Sequence, residues 1–581
     1  MKNSQDLAAK FYSLTFSLQL RSAFIRITAF AITLAIFFIN MSWIDASESS
    51  FISRTASTVA STLIIPALFM VIASPLTNMA LASLYLKARQ AKGSINHSGT
   101  SEEIQVAERA MFTPKRKVLT GMALVLSVLT GSVAYVAMTP PAAKPVAAVR
   151  VNVEKLADSE NAWVQYDLAI RDLVELPMLS QSMDKKLYEV VGNATAQQLQ
   201  NPVYGNLEKV AFGLEEFDEK LVDYINKHEP ATEHLLAGAK LSKAQYYSET
   251  PTISTPVPNL LQMRALANLA AAKVRYLQQQ GKVQQALELA LANYKMATDV
   301  GAETNASLIS GLISVVCRSA AAKSLLTLVN SGATTSDMDK EIARFVAEQD
   351  MRILNTYQFF TSERQAILVS FEDALIKQTT DNEEIFYRNS EAVKTLVKAA
   401  PGLRARVYNK YNTLSQDNLN AMRSSAENWD FLEAEKVVEE TRNQADPWKW
   451  NWNPADMIAS TAFYMAMPNA TATMKSLYMD NIVGKTVVAF AACSAYKKNH
   501  NTFPTTLEAA MSEVSLSIPK DLATNKAIGY RLENGNPVVW FAGVDGKNDG
   551  GLQAYENTNR HKASPGKDLV FSYGKLPFLQ Q

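Results

Sequence analysis

Three long apolar runs in the first 138 residues constrain this chain more than anything else in it. Ile27 to Ile44 is almost wholly apolar over eighteen residues, and with its flanks it reaches the roughly 20 residues that a helix needs to cross a bilayer. Val59 to Leu86 is longer and is interrupted by Pro66 and Pro75, so a kinked or tilted helix is expected there. Val118 to Met138 follows Lys115-Arg116-Lys117 and ends before Pro140-Pro141. Hydrocarbon offers the backbone no partner, so each run must close its own hydrogen bonds as a helix. The reading is a membrane domain over 21–138, with spans near 22–44, 58–86 and 118–138 after a short cytoplasmic lead, 1–20. Trp43 stands at the far end of the first span, where aromatic rings favour the interface. No small-x-small cleavage pattern follows it, which fits a retained signal anchor.

Clustered cations resist translocation, so the short loops set the orientation. The segment 87–117 carries seven Lys/Arg (Lys87, Arg89, Lys92, Arg109, Lys115, Arg116, Lys117), whereas 45–57 has only Arg54. The loop 87–117 is therefore expected in the cytoplasm. Everything beyond Met138 is then expected on the extracytoplasmic side. Residues 139–150, rich in Pro and Ala, read as an extended linker. Net charge over the 581 residues is +1, which gives no reason to expect a nucleic-acid partner.

From 151 to 480 the pattern is helical. Asn161-Ala162-Trp163 opens a helix whose Trp163, Tyr166, Ile170 and Leu173 share a face. Met263, Leu266, Ala270, Val274 and Leu277 form a second stripe. Gln280-Gly281 breaks it, and Val283, Leu287, Ala290, Tyr294 and Ala297 form a third, so a helical hairpin is expected. A further helix, with Leu308, Leu312, Val315, Ala322, Leu326 and Val329 on one side, stops at Gly332, and Ser336-x-x-Asp339 reads as the cap of the next. Helices then continue through Glu363, 392–398, 414–422 and 432–442. Paired helices with small Ala contacts point to an α-solenoid or an irregular bundle.

Pro447-Trp-Lys-Trp-Asn-Trp-Asn-Pro454 places three of the seven tryptophans, Trp448, Trp450 and Trp452, in one Pro-bounded loop. It reads either as a plug between packed elements or as a platform for a sugar or the bilayer surface. Signatures of nucleotide, zinc-protease or serine-hydrolase chemistry do not occur. His228 and His234, six apart with Glu229 and Glu233 between them, do not suit one helical face for zinc and read as a solvated loop. Glu363, Glu372 and Asp373 are carboxylates of the kind a hydrolase uses, but nothing local selects a pair. Cys317 and Cys493 lie in apolar helical contexts, as buried thiols or, in an oxidising compartment, as a pair.

The last hundred residues differ in kind. Tyr496-Lys-Lys-Asn-His-Asn-Thr-Phe-Pro-Thr-Thr-Leu-Glu508 reads as a helix end, a turn, and a new helix capped by Thr505 or Thr506. Ile518-Pro-Lys-Asp521 closes that helix. Tyr530-Arg-Leu532 and Val538-Val-Trp-Phe541 flank Asn534-Gly535, a strong hairpin signal. A loop, Gly543-Val-Asp-Gly-Lys-Asn-Asp-Gly-Gly551, leads towards a third strand, 569–573. Over residues 485–574 this order resembles the globular half of the major pseudopilin of type II secretion systems, also seen at the ends of large bacterial membrane proteins that are not pilins. His500 stands where that family has Asn. A pilin has one hydrophobic N-terminal helix, and here the module follows three, so assembly into a pilus is not expected.

In that family the loop binds calcium. The matching positions here are Asp545 and Asp568, with Asp549 a third carboxylate nearby, and Gly546, Gly550 and Gly551 could turn carbonyls inward. Read locally, Asp545 to Glu556 imitates an EF-hand loop, but Lys547 puts a cation where an oxygen is needed. An ordinary Asp/Gly turn with solvated charges stands beside the calcium reading.

The expected architecture is thus mainly α: three transmembrane helices, a large extracytoplasmic helical domain (151–480) and a small α+β pseudopilin-like domain (481–581). The expected role is an inner-membrane-anchored periplasmic interaction or scaffold protein. Its partners would be membrane lipids and envelope proteins, with ties to secretion or pilus-type machinery. The alternative is an envelope enzyme acting on glycan or lipid.

Overall fold

The computed structural model describes residues 147–174, 202–252, 255, 260–303, 305–352, 356–373, 401–444, 459–460, 463, 470–543, 545–551 and 568–575. The three expected spans and Trp448, Trp450 and Trp452 lie outside these residues. The chain divides into two units, one of 1–144, 390–407 and 448–458, the other of 145–389, 408–447 and 459–581.

The fold is mainly helical. In chain order the helices are α1 (Ala162–Leu173), α2 (Pro202–Ala211), α3 (Glu219–Lys227), α4 (Glu229–Ala239), α5 (Leu260–Gln279), α6 (Val283–Ala302), α7 (Leu308–Asn330), α8 (Ser336–Asp350), α9 (Thr356–Phe371), α10 (Pro401–Asn428), α11 (Phe431–Gln444), α12 (Ala470–His500) and α13 (Leu507–Val514). Three strands complete it: β1 (Gly529–Glu533), β2 (Asn536–Phe541) and β3 (Leu569–Ser572). All of these elements belong to the second unit except the start of α10, 401–407.

Local chemistry accounts for most boundaries. Asn161 caps α1, its side chain accepting from the Trp163 amide at 3.1 Å. Gly281, at φ +74°, allows the reversal between α5 and α6, and the apolar stripes of both helices are buried as their periodicity requires. Ser307 caps α7, accepting from the Ser310 amide. The cap of α8 is Thr335, whose hydroxyl accepts from Met338, and not Ser336. Ser336 instead donates towards the Ala495 carbonyl, and Asp339 is drawn into the core by Lys498 and Thr334. The cap is thus still local but one residue earlier than expected, and Ser336 and Asp339 are left free to take tertiary partners. The segment from His228 to His234 likewise is not a solvated loop: His228 is buried between α3 and α4 with Nδ1 3.3 Å from the Asp172 carbonyl, and His234 faces Gln165.

Among the described residues one helix, α7, is long and apolar enough to cross a bilayer, but 67% of its most apolar window is buried inside the protein, as in a core helix. Helix α6 pairs with α7, α4 packs on α1, and the long α12 packs along α8 and α7. The α12 contacts with α7 and α8 join helices far apart in sequence, while α6 and α7 are neighbours along the chain.

The strands form an antiparallel sheet in the order β1-β2-β3. Glu533 pairs with Asn536 across Asn534-Gly535, both at positive φ (52° and 79°), the two-residue turn whose twist matches that of the strands. Val539, Phe541, Leu569 and Phe571 turn inward and belong to the same apolar cluster as Trp163 of α1 and Tyr294 of α6. Position 480/481, the expected start of a separate module, falls inside α12, and the sheet shares its core with the helices.

Candidate cation loop and a buried charge cluster

The loop after β2 is held by four side chains that lie outside it. Arg531 of β1 lies over the Trp540 ring, 5.2 Å from its centroid, and its guanidinium donates to the carbonyls of Gly550 and Gly551, each at 3.1 Å. Two of the glycine carbonyls expected to face an ion are therefore already engaged. Trp540 donates through Nε1 to Asn548 Oδ1 at 3.0 Å. On the inner side, Asp521 Oδ2 accepts from the Ala542 amide at 2.6 Å, and Oδ1 accepts from the Ala523 amide at 2.8 Å. The Tyr478 hydroxyl of α12 lies 2.9 Å from Asp521 Oδ1 and 2.6 Å from the Ala542 carbonyl. Burial first, then the Asp521 carboxylate, pushes the Tyr478 phenol well above its ordinary range, so it remains a donor.

The sequence-expected ligands occupy three different settings. Asp568 is buried; its Oδ2 accepts from the Gly551 amide at 2.7 Å, and its Oδ1 is buried with no hydrogen-bond partner among the described residues. Asp545 is half-buried and accepts from the Lys547 amide at 3.1 Å, an Asx-type turn. Both carboxylates lie close enough to Tyr478 to disfavour its ionisation. Asp549 is exposed. Among the described residues no three acidic, His or Cys side chains converge as a metal set. The orphaned Asp568 oxygen nonetheless fits a cation: a buried carboxylate oxygen without a donor is costly, and an ion would relieve it.

A second cluster lies deeper. Arg318 sits in the middle of α7 and is 1% exposed. Its Nε donates to Asp480 of α12 at 2.8 Å and its Nη2 to Asp350, at the end of α8, at 2.6 Å. Its remaining donors reach the Tyr294 hydroxyl at 2.8 Å and the Thr298 hydroxyl at 3.0 Å, both on α6. Gly484 makes room for this: a Cβ there would come within 2.6 Å of Asp350 Oδ2 and 3.0 Å of the Tyr294 hydroxyl. Burial pushes the Asp480 carboxyl up to about 6, with Arg318 pulling the other way. Burial also lowers Lys485 to about 8, although Asp350 and Asp521 both favour its charged form. Beside this cluster, Asp299 accepts from Lys295 at 2.6 Å, Tyr166 at 2.7 Å and Arg352 at 2.6 Å.

Other candidate groups serve structure. Arg150 binds Glu372 and Asp373 at 3.3 and 2.6 Å, and Glu363 accepts from the Leu308 amide at 3.2 Å. Cys317 and Cys493 are free and buried, and burial pushes each thiol up to about 12, so neither pairs and neither is a ready nucleophile. Tyr478, Asp521, Arg318 and Asp480 were missed by sequence reasoning, and only the Pro519-x-Asp521 pattern hinted at one of them.

No protein-family model, curated protein or solved structure matches this chain. The pseudopilin likeness therefore rests on the quoted residues of 485–574.

Proposed function

We propose that this chain is an inner-membrane-anchored periplasmic interaction protein. In this reading three N-terminal spans hold a helical body that presents a pseudopilin-like α+β module to partners of secretion or pilus-type machinery. The observation that carries it is the seating of the module. The sheet shares one apolar core with the helices, and the loop is tied to the sheet by Arg531 and Trp540 and to α12 by the Tyr478 contact with Ala542, so the loop is presented on a firm body and not on a tether. The reading predicts that in-cell crosslinking through a photoreactive residue at position 548, on the exposed loop, captures envelope proteins, secretion or pilus components among them. Capture of cytoplasmic proteins alone would overturn both the topology and the role.

Within this reading Asp545 and Asp568 hold a calcium ion, with Asp549 at the rim. The ion would supply the positive charge that the buried Asp568 oxygen lacks. Saturating calcium is expected to raise the melting temperature of the full chain by several degrees, because an ion bound only by the folded state at a hundred times its Kd adds about 2.7 kcal/mol. Asp568→Asn and Asp545→Asn should each remove most of that gain. Equal stabilisation in both variants would place the ion elsewhere.

A further inference from the structure

The cluster around Arg318 joins elements distant in sequence at one seam. Helix α12, which carries the Tyr478 contact to the loop, is fastened to α7 and α8 at this seam by one guanidinium facing two carboxylates, and to α8 further along by the Lys498–Asp339 pair. Arg318 bonds both carboxylates, and these still repel each other where water screens little. We propose that Arg318, Asp350 and Asp480 form a proton-responsive clasp, in which uptake of one proton tightens the seating of α12 on the helical body.

The groups facing the clasp decide which carboxylate takes the proton. Arg318 comes from α7, Asp350 from α8 and Tyr294 from α6, and α12 adds Lys485, which faces Asp350 and donates to the Lys520 carbonyl. Tyr294 stays neutral, since burial holds its phenol well above the ordinary range. Asp350 has three favourable neighbours, Arg318, Tyr294 and Lys485, whereas Asp480 has Arg318 in its favour and the Asp350 charge against it. Asp480 is thus the proton acceptor.

The sign follows from linkage. Asp480 titrates at about 6 when α12 is seated and at its ordinary 3.8 when it is released to water. The seated form therefore gains as pH falls through 6, and the gain is lost as pH rises through that value. Between pH 7.5 and 5.0 the equilibrium constant for releasing α12 should drop about tenfold.

The test is amide hydrogen exchange of the purified full chain at pH 5.0 and 7.5, corrected for the intrinsic pH dependence, read on residues 476–490 of α12. The expected result is about tenfold greater protection at pH 5.0. Asp480→Asn, which mimics the neutral acid, should be protected at both pH values with no slope, and Asp350→Asn should show a reduced slope. Asp167 of α1 also titrates at about 6 but lies outside the clasp, so Asp167→Asn should keep the full slope. A wild-type slope that is absent or reversed, a slope retained in Asp480→Asn, or one lost in Asp167→Asn, overturns the clasp. Should Asp480→Asn fail to fold, the wild-type, Asp350→Asn and Asp167→Asn slopes decide it.

Discussion

Replacing Arg318 by methionine should destabilise the fold by about 3–5 kcal/mol, the range for removing one partner of a buried ion pair. The cost arises less from the lost attraction than from what remains. Asp350 and Asp480 would face each other in the core with no cation between them, and the hydroxyls of Tyr294 and Thr298 would lose a donor. Lysine should restore only part of the loss, because an ammonium cannot reproduce the planar fork that reaches two carboxylates and two hydroxyls at once. The triple variant Arg318→Met, Asp350→Leu, Asp480→Leu should recover most of the stability, since apolar groups of similar volume commonly replace a buried charge set without loss. Denaturant unfolding of the single variant with an unchanged slope and a midpoint close to wild type would show that the cluster is not a determinant of stability.

The residues of this cluster explain where sequence reasoning stopped. The α5–α6 hairpin and the second half of the α7 stripe, Ala322, Leu326 and Val329, were legible because periodicity near 3.6 and a glycine at positive φ are local signals, whereas Leu312 and Val315 are only half-buried and the small and polar Ser310, Gly311, Ser314 and Arg318 take the inner face there. The β1–β2 hairpin was legible for the same reason, through Asn534-Gly535. Arg318 gave no such signal. Its partners Asp350 and Asp480 stand 32 and 162 positions away, and no window spans that distance. At α8 the Asp339 carboxylate likewise meets a distant partner, Lys498, which the local Ser336-x-x-Asp339 spacing does not reveal. In the loop, Asp545 and Asp568 could be named from their spacing, but the loss of two glycine carbonyls to Arg531 could not, because that side chain arrives from the far strand of the hairpin.

Asp521→Ala is expected to be the most damaging change within the C-terminal module, at about 2–5 kcal/mol, because it strands several buried donors at once. The Ala542 amide, the Ala523 amide and the Tyr478 hydroxyl all converge on this one carboxylate. The hydroxyl retains the Ala542 carbonyl as an acceptor, but the two amides have no second choice. Tyr478→Phe removes only one of these interactions and should cost about 1 kcal/mol, which separates the anchor from the group it anchors. Asparagine at 521 should fall between them, since one amide oxygen can still accept while the NH2 opposes a donor. The consequence for the loop is directional. Ala542 is the last residue before Gly543, so losing its tether loosens the chain that carries Asp545 without touching any proposed ion ligand. Calcium titration should therefore show weakened binding in Asp521→Ala even at a temperature where the variant remains folded. Unchanged affinity there, alongside the expected loss of stability, would confine Asp521 to the core and leave the loop to set its own geometry.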